Sequence, residues 1–231
     1  MGSNEVGLSG AGSRRLETLA RHFRPHKPPP PQDAAGFSRR AAVLVCLFEG
    51  EHGDLRVILT KQASTISSYS GEVSLPGGKV EEGDADYVDT ALREAKEEIG
   101  LDPSQVTVVT VLEHFFVQSD VLGVPVIGLL SNKKAFNPAP NTAEVEAIFD
   151  APLEMFLEDE NRRAEEAEWQ GEEFICNFSD FKADNKNYVI WALTAVILIT
   201  AASLVYQRPP ALPERRPKIW SRGAARQASM L

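Results

Sequence analysis

Glu94, Glu97 and Glu98 are spaced i, i+3, i+4, so on a helix their carboxylates project together from one side. Like charges at that spacing repel and destabilise a helix, and they raise one another's proton affinity. Hard divalent cations relieve that repulsion, and Mg²⁺, with its oxygen ligands and retained waters, suits the role. Arg93 is a nearby cation and stands four residues before Glu97, where it can orient that carboxylate. In isolation such a segment is an ordinary solvated acidic face. The context changes that balance. Leu75-Pro76-Gly77-Gly78 lies just upstream, and its glycines let backbone approach a ligand closely while exposing N–H and C=O groups.

A helix over 86–99 must carry the carboxylates. Gly100 suits the left-handed conformation that closes helices, and Leu92, Ala95 and Ile99, spaced i, i+3, i+7, give the helix an apolar side to lay on a sheet. Strands to make that sheet are predicted upstream and downstream. The apolar runs 41–48 and 55–60, separated by the polar EGEHGD, predict an antiparallel hairpin. Segments 106–112, 115–117 and 124–130 add strands, and helices are expected over 152–158 and 188–205. Strands with few helices point to a sheet covered on its faces, an α/β/α sandwich or an α+β arrangement.

Residues 37–206 are expected to form this one body, since 231 residues with 43% hydrophobic content suffice for one substantial core. Residues 1–36 read as a flexible segment, Gly/Ser-rich to Ser13. Leu16, Leu19, Ala20 and Phe23 then mark a short amphipathic helix that docks one face, and prolines 28–31 form a stiff linker. Residues 207–231, with Pro209, Pro210, Pro213 and Pro217, read as an extended basic tail. Charge is divided accordingly. Residues 1–40 carry seven Lys/Arg against three Asp/Glu, residues 207–231 six against one, and the middle therefore eleven against twenty-nine, near −18. So acidic a body repels nucleic-acid backbones, and a phosphate-bearing substrate would need cations to enter it. The Glu-rich stretch 158–173 reads as solvated surface.

Cys46 and Cys176 stand in no metal-binding spacing and read as reduced core thiols of an intracellular protein. His22, His26, His52 and His114 are scattered and receive no role. No apolar stretch follows the first charges, so no secretory signal is expected. The uncharged run 188–206 is nearly long enough to span a bilayer. It is the only such segment and carries Thr194, Thr200 and Ser203, so it reads as a buried core helix rather than a membrane span.

The segment 75–101, LPGGKVEEGDADYVDTALREAKEEIGL, resembles the Nudix box. The ending from Arg93 through Glu94, Glu97, Glu98 and Gly100 to Leu101 matches that pattern at every specified position. The spacer from Gly78 to Arg93 is one residue longer than the general pattern, with Asp84 as its nearest acidic candidate, and such a spacer is found in the coenzyme A diphosphatase branch. Residues 58–78, ILTKQASTISSYSGEVSLPGG, resemble the extra signature of that branch in the Leu-Thr start, Ala63, Gly71 and the Pro-Gly-Gly end. They depart from it at Gln62 and Ser67, where arginines are usual, and at Leu75, where Phe is usual. The likeness continues over roughly 41–206 and is nearest to plant members.

The resemblance implies a Nudix fold, an α/β/α sandwich with a mixed β-sheet, in which 188–205 is the C-terminal helix. It implies Mg²⁺ or Mn²⁺ as cofactor and a small-molecule nucleotide as partner, with no nucleic acid and no membrane. The substrate would be a nucleoside diphosphate linked to another group, coenzyme A or its acyl derivatives first. Hydrolysis would give 3',5'-adenosine bisphosphate and a phosphopantetheine fragment; the alternatives are ADP-ribose, an oxidised nucleotide or another nucleotide diphosphate as substrate, or a non-catalytic or membrane-anchored protein of the same fold. Glu94 and Glu98 would be the chief metal ligands, Glu97 a further ligand or bridge, and Arg93 the residue that orients Glu97. Backbone at Gly77 and Gly78 would complete the site. The general base stays open between Glu94 and a loop carboxylate, Glu144 or Glu146. Lys61, with Lys133 and Lys134, is a candidate phosphate contact. The ending Ser229-Met230-Leu231 is a relaxed form of a peroxisomal address, with Met in place of the basic residue, so peroxisome and cytosol are both expected ahead of mitochondrion.

Overall fold

The computed structural model describes residues 14–23, 39–65, 70–117, 121–169 and 171–212. The segment before Arg14, prolines 28–31, His26, Ser67 and the ending 229–231 lie outside the described residues. Helix α1 (Arg14–Phe23) precedes a first hairpin, β1 (Arg39–Glu49) and β2 (Leu55–Gln62). Short strands β3 (Val73–Ser74) and β4 (Gly77–Lys79) lead into α2 (Tyr87–Ile99). Then follow β5 (Val106–Val111), β6 (Phe115–Val117), β7 (Val121–Leu130) and β8 (Val145–Pro152). Strands β9 (Arg162–Trp169), β10 (Glu172–Ala183) and β11 (Lys186–Trp191) precede the last helix, α3 (Ala192–Tyr206).

The main sheet runs in the order β3-β2-β1-β7-β5, with β4 paired to β1, β6 to β7 and β8 to β2. It is mixed, because β1 lies parallel to β7 and antiparallel to β2. A strand so central is covered on both faces, which is why 41–48 reads as one continuous apolar run. Its alternate residues serve two cores. Ala42, Leu44, Cys46 and Phe48 pack with Ala91, Ala95 and Ile99 of α2. Val45 and Leu47 pack on the other face with Val196, Ile197 and Leu198 of α3 and with Leu16, Leu19 and Phe23 of α1. The layers are thus a helix, a mixed sheet, and a second layer of helices joined by a small sheet of order β11-β10-β9.

Two expectations are corrected. Residues 186–191 are strand, and the helix expected over 188–205 begins at Ala192. Tyr188, Val189 and Ile190 favour extended backbone, they pair with Phe181, Asp180 and Ser179, and Ala192 turns the chain through a positive φ of 51°. The helix expected over 152–158 is a single 3-10 turn, Leu153–Phe156, because β8 continues to Pro152 on β2. The acidic stretch 158–173 is mostly exposed, in keeping with a solvated surface, and holds β9 and the start of β10, which pairs in turn with β11. Among the described residues no helix is long and apolar enough to cross a membrane.

Candidate active site

Helix α2 is fixed at both ends. Asp86 caps its first turn, accepting from the N–H groups of Val88 and Asp89, and Gly100 closes it at φ 73°. Its apolar stripe, Ala91, Ala95 and Ile99, lies on the sheet, with Leu92 only partly buried. That rotation makes the three glutamates unequal. Glu98 falls at the helix–sheet border and is 5% exposed, the Glu94 side chain is 15% exposed, and that of Glu97 is 56% exposed.

The turn at 76–78 meets these carboxylates. Gly77 donates its N–H to Glu98 Oε2 at 3.1 Å. A Cβ on Gly78 would land on the Glu94 carboxylate, and one on Gly77 would strike the Ala42 carbonyl and Val43. The glycines are therefore required by close approach, with Glu94 filling the space a side chain at 78 would take.

Arg93 gathers the surrounding charges. Its Nε and Nη2 donate to Asp84 at 3.0 and 3.2 Å, Nη1 donates to Glu97 at 3.0 Å, and Nη2 also reaches the Lys79 carbonyl at 2.9 Å. The same Nη2 lies 3.1 Å from Glu94 Oε1. Asp84 in turn accepts from the Thr90 hydroxyl and the Glu81 N–H. These bonds, that of Arg93 first, hold the Asp84 carboxyl well below the usual carboxylate range. The acidic residue of the spacer thus anchors Arg93 and folds the loop back on α2.

Burial acts in the same direction on the two inner glutamates. It raises Glu94, although Arg93 opposes the rise. It pushes Glu98 up to about 7, aided by the charges of Glu94 and Glu144 and opposed by the Gly77 N–H. Among the described residues no three His, Cys, Asp or Glu side chains already form a cage for a metal. The donor set nevertheless fits a hard cation. Glu94 and Glu98 are oxygen donors whose negative charge exceeds what Arg93 offsets, and the glycine cradle brings them against backbone.

The remaining candidates divide. The segment 139–145 is tied to the end of α2 by bonds from the Ala139 N–H to the Ile99 carbonyl and from the Asn141 N–H to the Glu98 carbonyl. This brings Glu144 close enough to influence the Glu98 carboxyl. Glu146 is the extra residue where β8 shifts register between Lys61 and Gln62, and it accepts a bond from Lys61 Nζ at 2.8 Å. Lys61 follows Leu55, Val57 and Leu59 onto the face of the sheet away from α2, next to Tyr188. The candidate substrate contact and one candidate base are therefore paired with each other on the opposite face from Glu98. Lys133 lies over the rings of Phe48 and Phe136, 5.2 and 5.0 Å from their centroids, and Lys134 is exposed. His22 contacts Gln207 on the α3 side. Cys46 is buried and its thiol is pushed up to about 12 by burial; Cys176 is partly buried. Sequence reasoning passed over Gln62 except as a departure from a motif, yet its amide donates to Ser74 Oγ at 2.7 Å and it is among the groups that lower the Glu98 carboxyl. The alternation of β2, which sends Ile58, Thr60 and Gln62 to the α2 face, is the signal that could have found it.

Comparison with known proteins adds kinship to this geometry. The model of the NUDIX domain matches residues 38–189. "Nudix hydrolase 22, chloroplastic" of Arabidopsis thaliana is 62% identical over 181 residues, covering 78% of this chain and 60% of that protein. "Nudix hydrolase 15, mitochondrial" of the same plant is 62% identical over 180 residues, covering 78% and 63%. The chain thus spans about three fifths of the length of these two relatives. "Peroxisomal coenzyme A diphosphatase NUDT7" of Mus musculus is 34% identical over 176 residues, covering 75% of this chain and 73% of that protein.

Proposed function

The chain belongs to the Nudix family, and from that premise we propose that it hydrolyses the diphosphate linkage of a nucleoside-diphosphate derivative, with coenzyme A or an acyl-coenzyme A as the substrate. The observation that carries this reading is the pair Glu94 and Glu98, set against the Gly77-Gly78 backbone at one border of helix and sheet. Glu94 and Glu98 would hold Mg²⁺ or Mn²⁺, with Glu97 joining from the exposed side. The bound cation supplies charge shielding for the phosphates and a water of lowered pKa. Arg93 keeps the glutamates apart from one another and aimed, because its guanidinium is itself fixed by Asp84. The proton of the attacking water passes to a carboxylate, for which Glu144, near Glu98, is better placed than Glu146, which is engaged by Lys61. Products from coenzyme A are 3',5'-adenosine bisphosphate and phosphopantetheine.

The name of the mouse relative supports coenzyme A. A second reading, ADP-ribose or another nucleotide diphosphate, is favoured by Gln62, which offers no cation to a substrate phosphate where the coenzyme A signature has arginine. A panel of coenzyme A, acyl-coenzyme A, ADP-ribose and oxidised nucleotides, assayed with Mg²⁺ and Mn²⁺, separates the two. Turnover of the coenzyme A compounds, abolished in Glu98→Gln and by EDTA, is expected. Robust ADP-ribose hydrolysis without coenzyme A hydrolysis overturns the substrate assignment, and full activity in Glu98→Gln overturns the site. For compartment, the chloroplastic, mitochondrial and peroxisomal names of the three relatives support an organelle, which imaging of the tagged chain decides.

A further inference from the structure

Arg93 Nη2 has more acceptors around it than hydrogens to give. It carries two hydrogens, and three oxygens stand within reach: the Lys79 carbonyl at 2.9 Å, Glu94 Oε1 at 3.1 Å and Asp84 Oδ2 at 3.2 Å. Asp84 Oδ2 is the most distant of the three and the least dependent on Nη2. It accepts from the Thr90 hydroxyl at 2.8 Å and from the Glu81 N–H at 3.0 Å. So supplied, it leaves the Nη2 hydrogens to Lys79 and Glu94. Nε keeps the guanidinium on Asp84 through Oδ1 at 3.0 Å, and Nη1 is turned to Glu97.

Thr90 is placed in α2 to make its share of this arrangement. It is fully buried and stands three residues before Arg93, on the same side of the helix, so that Asp84 bridges the two. A threonine inside a helix often turns its hydroxyl back to the carbonyl four residues earlier. Here that carbonyl, of Asp86, is 3.2 Å away and already accepts the Thr90 N–H. The one hydroxyl hydrogen therefore goes to the nearer and charged acceptor, Asp84. The Asp84 side chain is only 6% exposed, so little water reaches it to replace that bond. Building on the reading of Glu94 as a metal-binding carboxylate, we propose that Thr90 is a positioning residue: its hydroxyl satisfies Asp84 and so commits Arg93 Nη2 to Glu94, holding Oε1 and leaving the rest of that carboxylate to a divalent cation. Without the hydroxyl, Asp84 Oδ2 draws an Nη2 hydrogen to itself and Glu94 loses its fixed orientation.

The test uses the full chain and two variants, Thr90→Val, which replaces the hydroxyl by a methyl group of similar size, and Thr90→Ser, which keeps the hydroxyl and loses the methyl. Mn²⁺ binding to metal-free protein is read by electron paramagnetic resonance, thermal melting reports folding, and kcat and KM are measured on whichever diphosphate the wild type hydrolyses. Thr90→Val is expected to weaken Mn²⁺ about tenfold and to lower kcat comparably, as loss of groups that orient metal ligands does. KM is expected to stay within about threefold, since uniform substrate binding is untouched. Thr90→Ser should restore Mn²⁺ affinity and kcat to near the wild-type values even if its melting temperature is lower, a split that a merely structural role does not produce. Thr90→Ala, which lacks the hydroxyl and adds no bulk, takes the place of Thr90→Val should that variant fail to fold. Wild-type Mn²⁺ affinity in a folded variant without the hydroxyl overturns the proposal, and so does an equal loss in Thr90→Ser. Glu94→Gln, run alongside, separates the failures: if it binds Mn²⁺ normally, the metal site itself is misassigned, and if it loses Mn²⁺ while Thr90→Val does not, only the positioning role falls.

Discussion

Glu98 and Asp84 stand on the same short stretch of chain and are driven in opposite directions, one by burial and the other by a guanidinium. Asp84, held low by Arg93, contributes stability above the ordinary carboxylate range and loses it only in strong acid, so it is silent near neutrality. Glu98 is pushed up to about 7, chiefly by burial. For an acid so raised, the folded state favours the protonated form. The stability it lends is present below the ordinary carboxylate value and is lost as pH rises through about 7. With metal chelated away, the melting temperature should fall by about 5 °C between about pH 5 and pH 8. Glu98→Gln should remove most of that slope, and differential scanning fluorimetry in EDTA reads both; an unchanged slope in the variant means the carboxyl is ionised at neutral pH without cost. The presence of three glutamates was legible from spacing alone. Their inequality was not, because it depends on the angle at which α2 meets the sheet, and the spacing of Leu92, Ala95 and Ile99 placed the apolar stripe slightly off the observed Ala91, Ala95 and Ile99.

At the scale of elements, the site is an approach of β4 to α2 with no room to spare. A Cβ at residue 78 would occupy the position of the Glu94 carboxylate, which Arg93 holds from the other side. Gly78→Ala should therefore displace Glu94 by roughly the size of a methyl group, and misplacements of about 1 Å can cost about a hundredfold in rate. The fold should tolerate it, since β4 pairs with β1 over only three residues and lies at the rim. Loss of kcat by about tenfold or more, with melting changed by only a few degrees, is expected; kcat retained with melting lowered would make Gly78 a purely structural glycine. Sequence patterns found the β1–β2 hairpin, β5, β6, β7 and α2 because each announces itself by its own periodicity. They missed β9 because RRAEEAEW mixes acidic and small residues on an exposed edge strand, with little apolar signal to separate strand from solvated loop. They ran α3 through β11 because a short apolar strand feeding an apolar helix leaves no break in hydropathy, and the turn between them is made by the backbone of Ala192.

The whole molecule divides its labour between the two faces of the main sheet. The α2 face carries the carboxylates; the other face carries α3, the small sheet and α1, and it supplies stability. A ten-residue helix is too short to persist alone in water, so α1 exists because Leu16, Leu19, Ala20 and Phe23 find the core. It is also fastened by Arg15, whose Nη1 donates to the Gly53 carbonyl and whose guanidinium lies over the Tyr206 ring. The segment thus joins the β1–β2 turn to the end of α3. Phe23 is fully buried, and Phe23→Ala should cost about 3–4 kcal/mol, lowering the melting temperature by about 10 °C in a chain of this size. Because α1 sits across the sheet from Glu98, kcat and Mn²⁺ affinity measured well below that temperature should be unchanged. A fall in kcat in the folded variant would mean that the two faces are coupled through the sheet, for which β1 is placed, since its side chains enter the core on both sides. With such an outcome α1 would tune the site as well as support it.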